Sequence, residues 1–226
     1  MSVACPRVCR VNGAEFERAD GPQQGQQQSP QKGQQTGQQQ ADPERAKQRQ
    51  ELQRLINDLA VVRGKVTLSS GKIADYYIDL RRVTLHHRGA PLVGAVMLAH
   101  LENLAILPEA IGGLTLGADP IATAVLHAAA AQNDQIDAFV VRKAAKAHGM
   151  QKQIEGPDIK GRRVVIVEDT TTTGSSPLAA IQAAREADAE VLAVATIVDR
   201  DTGAREVIEK AGVPYYPIFS LTDLQI

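Results

Sequence analysis

Val164-Val165-Ile166-Val167-Glu168-Asp169-Thr170-Thr171-Thr172-Thr173-Gly174-Ser175-Ser176 decides how this chain is read. Four successive apolar residues without alternation fit a strand buried on both faces, which is the habit of parallel sheets. Pro177 then suits the opening turn of a helix. Working outward, the same unit recurs. Ala110–Leu114, Ala138–Val141, Val191–Val198 and Tyr215–Phe219 read as further strands, and 121–131, 177–187 and 204–211 as the helices between them. Such alternation implies βαβ units and a mostly parallel sheet flanked by helices, an α/β fold. Ligands of such sheets bind at the carboxyl ends of the strands.

The loop after Val167 has legible chemistry. A tight strand-to-helix turn aims backbone N–H groups and the positive end of a helix dipole at one point, which suits an anion. Thr170, Thr171, Thr172, Thr173, Ser175 and Ser176 add hydroxyl donors, and Gly174 lets the chain approach closely. A phosphate fits there. Glu168 and Asp169 repel a phosphate but accept hydrogen bonds from sugar hydroxyls, with Mg²⁺ nearby to moderate the charge. Together they describe a ribose 5-phosphate site. The competing reading is a polar turn whose hydroxyls merely cap the helix. Neither Gly-x-Gly-x-x-Gly nor Gly-x4-Gly-Lys-Ser/Thr is present to offer another phosphate loop.

Upstream, Pro91–Leu104 reads as an amphipathic helix, and Val66–Leu68 with Tyr76–Leu80 as a hairpin around Ser69-Ser70-Gly71-Lys72. Asp42 and Pro43 open another helix carrying Leu52, Leu55, Ile56 and Leu59 at helical spacing. Before it, Gln fills eleven of the twenty places from Gly21 to Gln40 and no aliphatic or aromatic residue occurs. Such a segment has nothing to bury against the entropy of ordering it. The expectation is a disordered Gln-rich extension over 1–41 and one folded domain over 42–226. The whole chain of 226 residues carries 25 basic and 26 acidic groups, and the domain alone 21 against 23. That balance argues against a general nucleic-acid binder. No apolar run suffices for a membrane span, and the start lacks the apolar core of a secretory signal, so a cytoplasmic protein is expected. Cys5 and Cys9 have no second ligand pair to make a metal site.

VVIVEDTTTTGSS resembles the phosphoribosyl-pyrophosphate signature of type I phosphoribosyltransferases, a likeness that extends from about Glu44 to the C-terminus. It implies that family's fold, with a small N-terminal hood over the sheet. The sequence Arg142-Lys143-Ala144-Ala145-Lys146-Ala147-His148-Gly149 is, by composition, a solvated basic loop, yet it follows a strand at its carboxyl end. It resembles the catalytic loop of orotate phosphoribosyltransferases. By that resemblance Arg142, Lys143, Lys146 and His148 contact phosphoribosyl pyrophosphate, with Lys146 and Asp169 the catalytic pair. The loop is then expected to reach a neighbouring subunit, which implies a homodimer with shared active sites.

Asp199-Arg200 resembles the family's orotate-carboxylate grip, where a guanidinium matches a planar carboxylate. A surface Arg paired with Asp199 or Asp201 is the alternative. Thr172 takes the position that touches the orotate ring, Tyr76 and Tyr77 flank its face, and Lys72 supplies a nearby charge. Adjacent strand residues point to opposite faces, so one tyrosine can be core. The chain departs from the better-known bacterial pattern at Ser69 and Gly117, both lysine there. Implied throughout is a Mg²⁺-dependent glycosyltransferase that makes orotidine 5′-monophosphate for pyrimidine biosynthesis. A phosphoribosyltransferase for another base, or a non-catalytic sensor of the same fold, remains the alternative.

Overall fold

The computed structural model describes residues 42–67, 73–143 and 153–226. The Gln-rich extension, the Ser69–Lys72 turn, Lys146 and His148 lie outside the described residues.

Helix α1 (Pro43–Leu55) opens as expected, with Asp42 Oδ1 accepting the Glu44 amide at 3.0 Å. A π-helical turn, Ile56–Ala60, leads into the antiparallel pair β1 (Val61–Thr67) and β2 (Ile73–Ile78). The hairpin differs from its expected bounds. β1 begins five residues earlier, because Gly64 at φ +125° and the register shift between Arg63 and Val66 break the apolar signal. β2 ends at Ile78 because Leu80 turns into the core ahead of α2 (Arg81–Thr84), a short helix the sequence did not announce.

Helices α3 (Gly89–Asn103) and α4 (Ala118–Ala131) flank β3 (Ala110–Leu114), followed by β4 (Asp137–Val141) and the two-residue β5 (Ile154–Glu155). Then come β6 (Arg163–Thr171), α5 (Ser175–Glu186), β7 (Glu190–Asp199), α6 (Ala204–Lys210) and β8 (Tyr215–Phe219). The six-stranded sheet runs β5-β4-β3-β6-β7-β8, parallel except for the edge strand β5. Its faces separate as the pleat dictates. Val165 and Val167 of β6 join a core with α1, α3 and α4, while Val164 and Ile166 join one with α5 and α6.

β6 runs four residues past its apolar stretch. Pairing with β7 continues to Thr171 opposite Asp199, so Glu168 and Asp169 are strand residues held in register. From β3 the chain crosses to β4 on one side, and β6 lies on the other. The sheet therefore switches direction between β3 and β6, where a crevice forms at the carboxyl ends of both strands.

Candidate active site

A cavity of about 340 Å³ occupies that crevice. Its floor comes from Glu168, Asp169 and Thr170, one wall from Leu114–Gly117 after β3, and another from Tyr77–Arg81 after β2. Lys143, Thr172, Ser176 and Arg200 complete it. Glu168 is 6% exposed. Its Oε1 accepts the Asp169 amide at 3.0 Å, and Asp169 Oδ1 accepts the Thr170 amide at 2.6 Å. From β7, the Thr196 hydroxyl donates to the Glu168 carbonyl at 3.1 Å, fixing the backbone beneath the pair. Burial above all, and then the Asp169 charge, push the Glu168 carboxyl up to about 8. At neutral pH one of the two acids is therefore mostly protonated.

The Leu114–Gly117 wall presses against this pair. A Cβ on Gly117 would stand 2.4 Å from Glu168 Oε1 and 2.9 Å from Asp169 Oδ1. The absence of a side chain at residue 117 thus has a steric reason that composition does not reveal. The peptide between Thr115 and Leu116 is cis. The Thr115 hydroxyl donates to Asp119 Oδ2 at 2.7 Å, tying the loop to the first turn of α4.

At the other side of β6, Gly174 adopts φ +76° and no side chain caps α5. The first-turn amides of that helix have no intrahelical acceptors. The Thr173 hydroxyl donates to Ser175 Oγ at 3.2 Å, and the Thr202 hydroxyl to the Thr172 carbonyl at 2.8 Å. The loop's hydroxyls therefore do not close the helix end, contrary to the capping alternative. What remains is a cradle of amides and hydroxyls suited to an anion.

The four threonines separate by side. Thr170 and Thr172 face the cavity. Thr171 is 2% exposed and points into the core, donating to Asp199 Oδ1 at 3.3 Å and hydrogen-bonded to the Tyr215 hydroxyl. The structure therefore does not bring the Thr171 side chain to the cavity. Arg142 also stays out of the cavity, its Nη1 lying 3.4 Å from Glu155 Oε1 on β5. Lys143 does line it.

Arg200 forms no ion pair with Asp199 or Asp201 among the described residues. Asp199 is occupied by Thr171 and the Asp201 amide. The Arg200 guanidinium instead lies 5.4 Å from the Tyr76 ring centre, and its Nε is buried without a hydrogen-bond partner. Tyr76 thus packs under Arg200 and against the core, while Tyr77 turns to the cavity. Asp79 and Arg81 were not legible in the sequence. They sit in the turn after β2 and at the start of a short helix, outside any βαβ repeat and with no motif of their own.

A family model described as the phosphoribosyl transferase domain matches residues 101–213. The orotate phosphoribosyltransferase of Streptomyces coelicolor is 62% identical over 177 residues, covering 78% of this chain and 96% of the relative. The chain belongs to the orotate phosphoribosyltransferase family. Two solved structures from Mycobacterium tuberculosis carry that family name. One is 54% identical with a TM-score of 0.71, over 79% of this chain and 99% of that one. Another, in complex with 5-phospho-α-D-ribosyl 1-diphosphate, is 48% identical with a TM-score of 0.67 over the same shares. The matched span of the family model includes β3, β6 and the α5 cradle, but not β1, β2 or α2. Within the orotate phosphoribosyltransferase family, then, the wall bearing Arg81 lies beyond the part shared with phosphoribosyl transferase domains at large.

Proposed function

We propose that the chain transfers ribose 5-phosphate from phosphoribosyl pyrophosphate to orotate, giving orotidine 5′-monophosphate and pyrophosphate. The observation that carries this reading is the uncapped N-terminus of α5 next to the buried Glu168–Asp169 pair, in one cavity with Arg200. The 5-phosphate takes the α5 amides with the hydroxyls of Ser175, Ser176, Thr172 and Thr173. Glu168 and Asp169 accept from the two ribose hydroxyls. Arg200, stacked on Tyr76 and short of a partner at Nε, offers a planar fork to the orotate carboxylate.

In the reaction the bond from the ribose anomeric carbon to the pyrophosphate oxygen breaks, and its electron pair leaves with pyrophosphate. A bond forms to the ring nitrogen of orotate, which attacks as its anion, so no strong protein base is needed. The ribose passes through a cation-like state, as in glycosyl transfer generally. Lys146 and Lys143 stabilise the charge building on the leaving group, where such contacts lower the barrier most.

Among the described residues no group of three His, Cys, Asp or Glu side chains is placed to cage a metal. Glu168 and Asp169 nevertheless supply hard oxygens, which suits Mg²⁺ held mainly by substrate and water. When bound, that ion neutralises charge on the pyrophosphate oxygens. A homodimer is favoured by an apolar groove of about 900 Å³ beside the cavity, bordered by the exposed Leu85 and Leu116. Arg81 and Leu116 line both groove and cavity, so a second copy seated there would adjoin the active site. No helix among the described residues is long and apolar enough to cross a membrane, in keeping with a cytoplasmic enzyme.

The test is the loss of orotate absorbance on adding protein, Mg²⁺ and phosphoribosyl pyrophosphate. Uracil and purines serve as competing acceptors. Folded protein that leaves orotate unchanged, or that prefers another base, overturns the reading.

A further inference from the structure

The cavity holds a cation that the reaction as described does not use. Arg81 opens α2 and borders the same space as Glu168, Asp169 and the Thr115–Gly117 loop. Its backbone is fixed. The Asp79 amide donates to the Ala60 carbonyl at 3.0 Å, and Leu80 and Val83 on either side of Arg81–Arg82 are buried. Its side chain is aimed as well. Nε donates to Asp79 Oδ1 at 2.8 Å, while Nη1 and Nη2 have no hydrogen-bond acceptor among the described residues. A guanidinium held by its Nε presents the two remaining nitrogens as a fork for a planar or tetrahedral oxyanion.

The neighbours of Arg81 leave room for an anion there. Gly117 carries no side chain, and a Cβ there would stand 2.4 Å from Glu168 Oε1. The Thr115–Gly117 loop therefore has no positive side chain of its own to face a polyanion. Arg81, at 48% side-chain exposure, lines the same cavity as that loop and is close enough to Asp169 to feel its charge. Lys143 and Arg200 are the other cations on the cavity wall among the described residues. Arg200 is committed to the Tyr76 side, which leaves Arg81 and Lys143 to face the rest of the cavity.

We propose that Arg81, positioned by Asp79, binds the pyrophosphate moiety of phosphoribosyl pyrophosphate and of the product. The inference rests on the transferase reading above and concerns one end of one substrate.

Steady-state kinetics in both directions test it. Losing a charged hydrogen bond of this kind corresponds to about tenfold to a hundredfold in binding. Arg81→Ala should raise KM for phosphoribosyl pyrophosphate in the forward direction, and for pyrophosphate in reverse, by about thirtyfold. KM for orotate and for orotidine 5′-monophosphate should stay within about twofold. Arg81→Lys should recover part of the loss, since it restores the charge without the fork. Arg82→Ala is the control for net charge, because Arg82 is exposed and does not line the cavity. If Arg81→Ala disturbs folding or assembly, Arg81→Lys with calorimetric binding of Mg²⁺–pyrophosphate decides instead. Equal shifts for orotidine 5′-monophosphate and pyrophosphate would assign Arg81 a merely structural role, and no shift for either would refute the proposal. Wild-type protein without turnover would sink the transferase reading alone, and pyrophosphate titration of wild type against Arg81→Ala would still judge Arg81.

Discussion

Replacing Gly117 by alanine separates the demands of the fold from those of the site. Gly117 has φ −61° and ψ −42°, ordinary helical values, so the backbone accepts a side chain without strain. Its Cβ would nonetheless stand 2.4 Å from Glu168 Oε1. Carbon–oxygen contacts settle at about 3.3 Å or more, so that oxygen must retreat by about 1 Å. Retreat also disturbs the 3.0 Å bond from the Asp169 amide to the same oxygen. Only side-chain ends have to move. Alanine at a compatible position also lowers the entropy of the unfolded chain, by about 0.4–1 kcal/mol. Stability should therefore change little, with Tm within about 4 °C of wild type. Catalysis should suffer far more, since a misplacement of about 1 Å at a reacting centre costs on the order of a hundredfold in rate. Orotate absorbance gives kcat/KM and thermal denaturation gives Tm. A variant with wild-type kcat/KM would show that the acid pair does not position the ribose. A fall in Tm above about 8 °C would move the constraint from site to fold.

Other outcomes follow from the same geometry. Lys146→Ala should lower kcat by at least about a hundredfold, with much less loss of phosphoribosyl pyrophosphate affinity, since its contact is expected to strengthen only as charge leaves the ribose. Wild-type kcat in that variant would refute the role. Arg200→Lys should raise KM for orotate about tenfold and leave KM for phosphoribosyl pyrophosphate unchanged, because an ammonium loses the bidentate match. Parallel shifts in both constants would count against the carboxylate grip. Glu168, raised to about 8, is mostly protonated in the free site at pH 7 and should ionise when sugar hydroxyls and a cation arrive. Calorimetry of Mg²⁺–phosphoribosyl pyrophosphate binding in buffers of different ionisation enthalpy should find proton release at pH 7 that Glu168→Gln removes. Affinity should rise with pH and level off above about 8. Identical proton release in wild type and Glu168→Gln would contradict this.

The parallel sheet was legible because its strands are short apolar runs broken by helices, and the strand-to-helix turn at Gly174 announced its own anion chemistry. Legibility failed where contact, not pattern, decides. β6 is polar over its last four residues, so its continuation to Thr171 depends on pairing with β7, which lies twenty-eight residues away at Asp199. That pairing is what turns Thr171 into the core and leaves Thr170 and Thr172 on the cavity. The partner that Arg142 has in the structure was not legible, because β5, too short to signal itself, brings Glu155 to it. Gly117 looks like a missing charge until Glu168 is seen against it. Arg81 carries no motif, and only the fold sets the β2–α2 turn opposite β6.

The order of burial across the cavity bears on how donor and leaving group would be held. Glu168 lies deepest, Arg200 is half-buried, and Arg81 and Lys143 stand exposed at the rim. Two ionised carboxylates side by side at the floor would repel each other and lose hydration, and protonation of Glu168 relieves both. The same burial that raises its pKa weakens solvent competition for its hydrogen bonds, so a ribose diol binds where water is scarce. Charges at the rim are screened and individually weak. Pyrophosphate engages several of them at once while it is attached to the buried ribose. After bond cleavage it loses that tether and keeps only the screened contacts. A site built with acids inside and cations outside thus grips the donor as a whole and holds the freed leaving group less tightly.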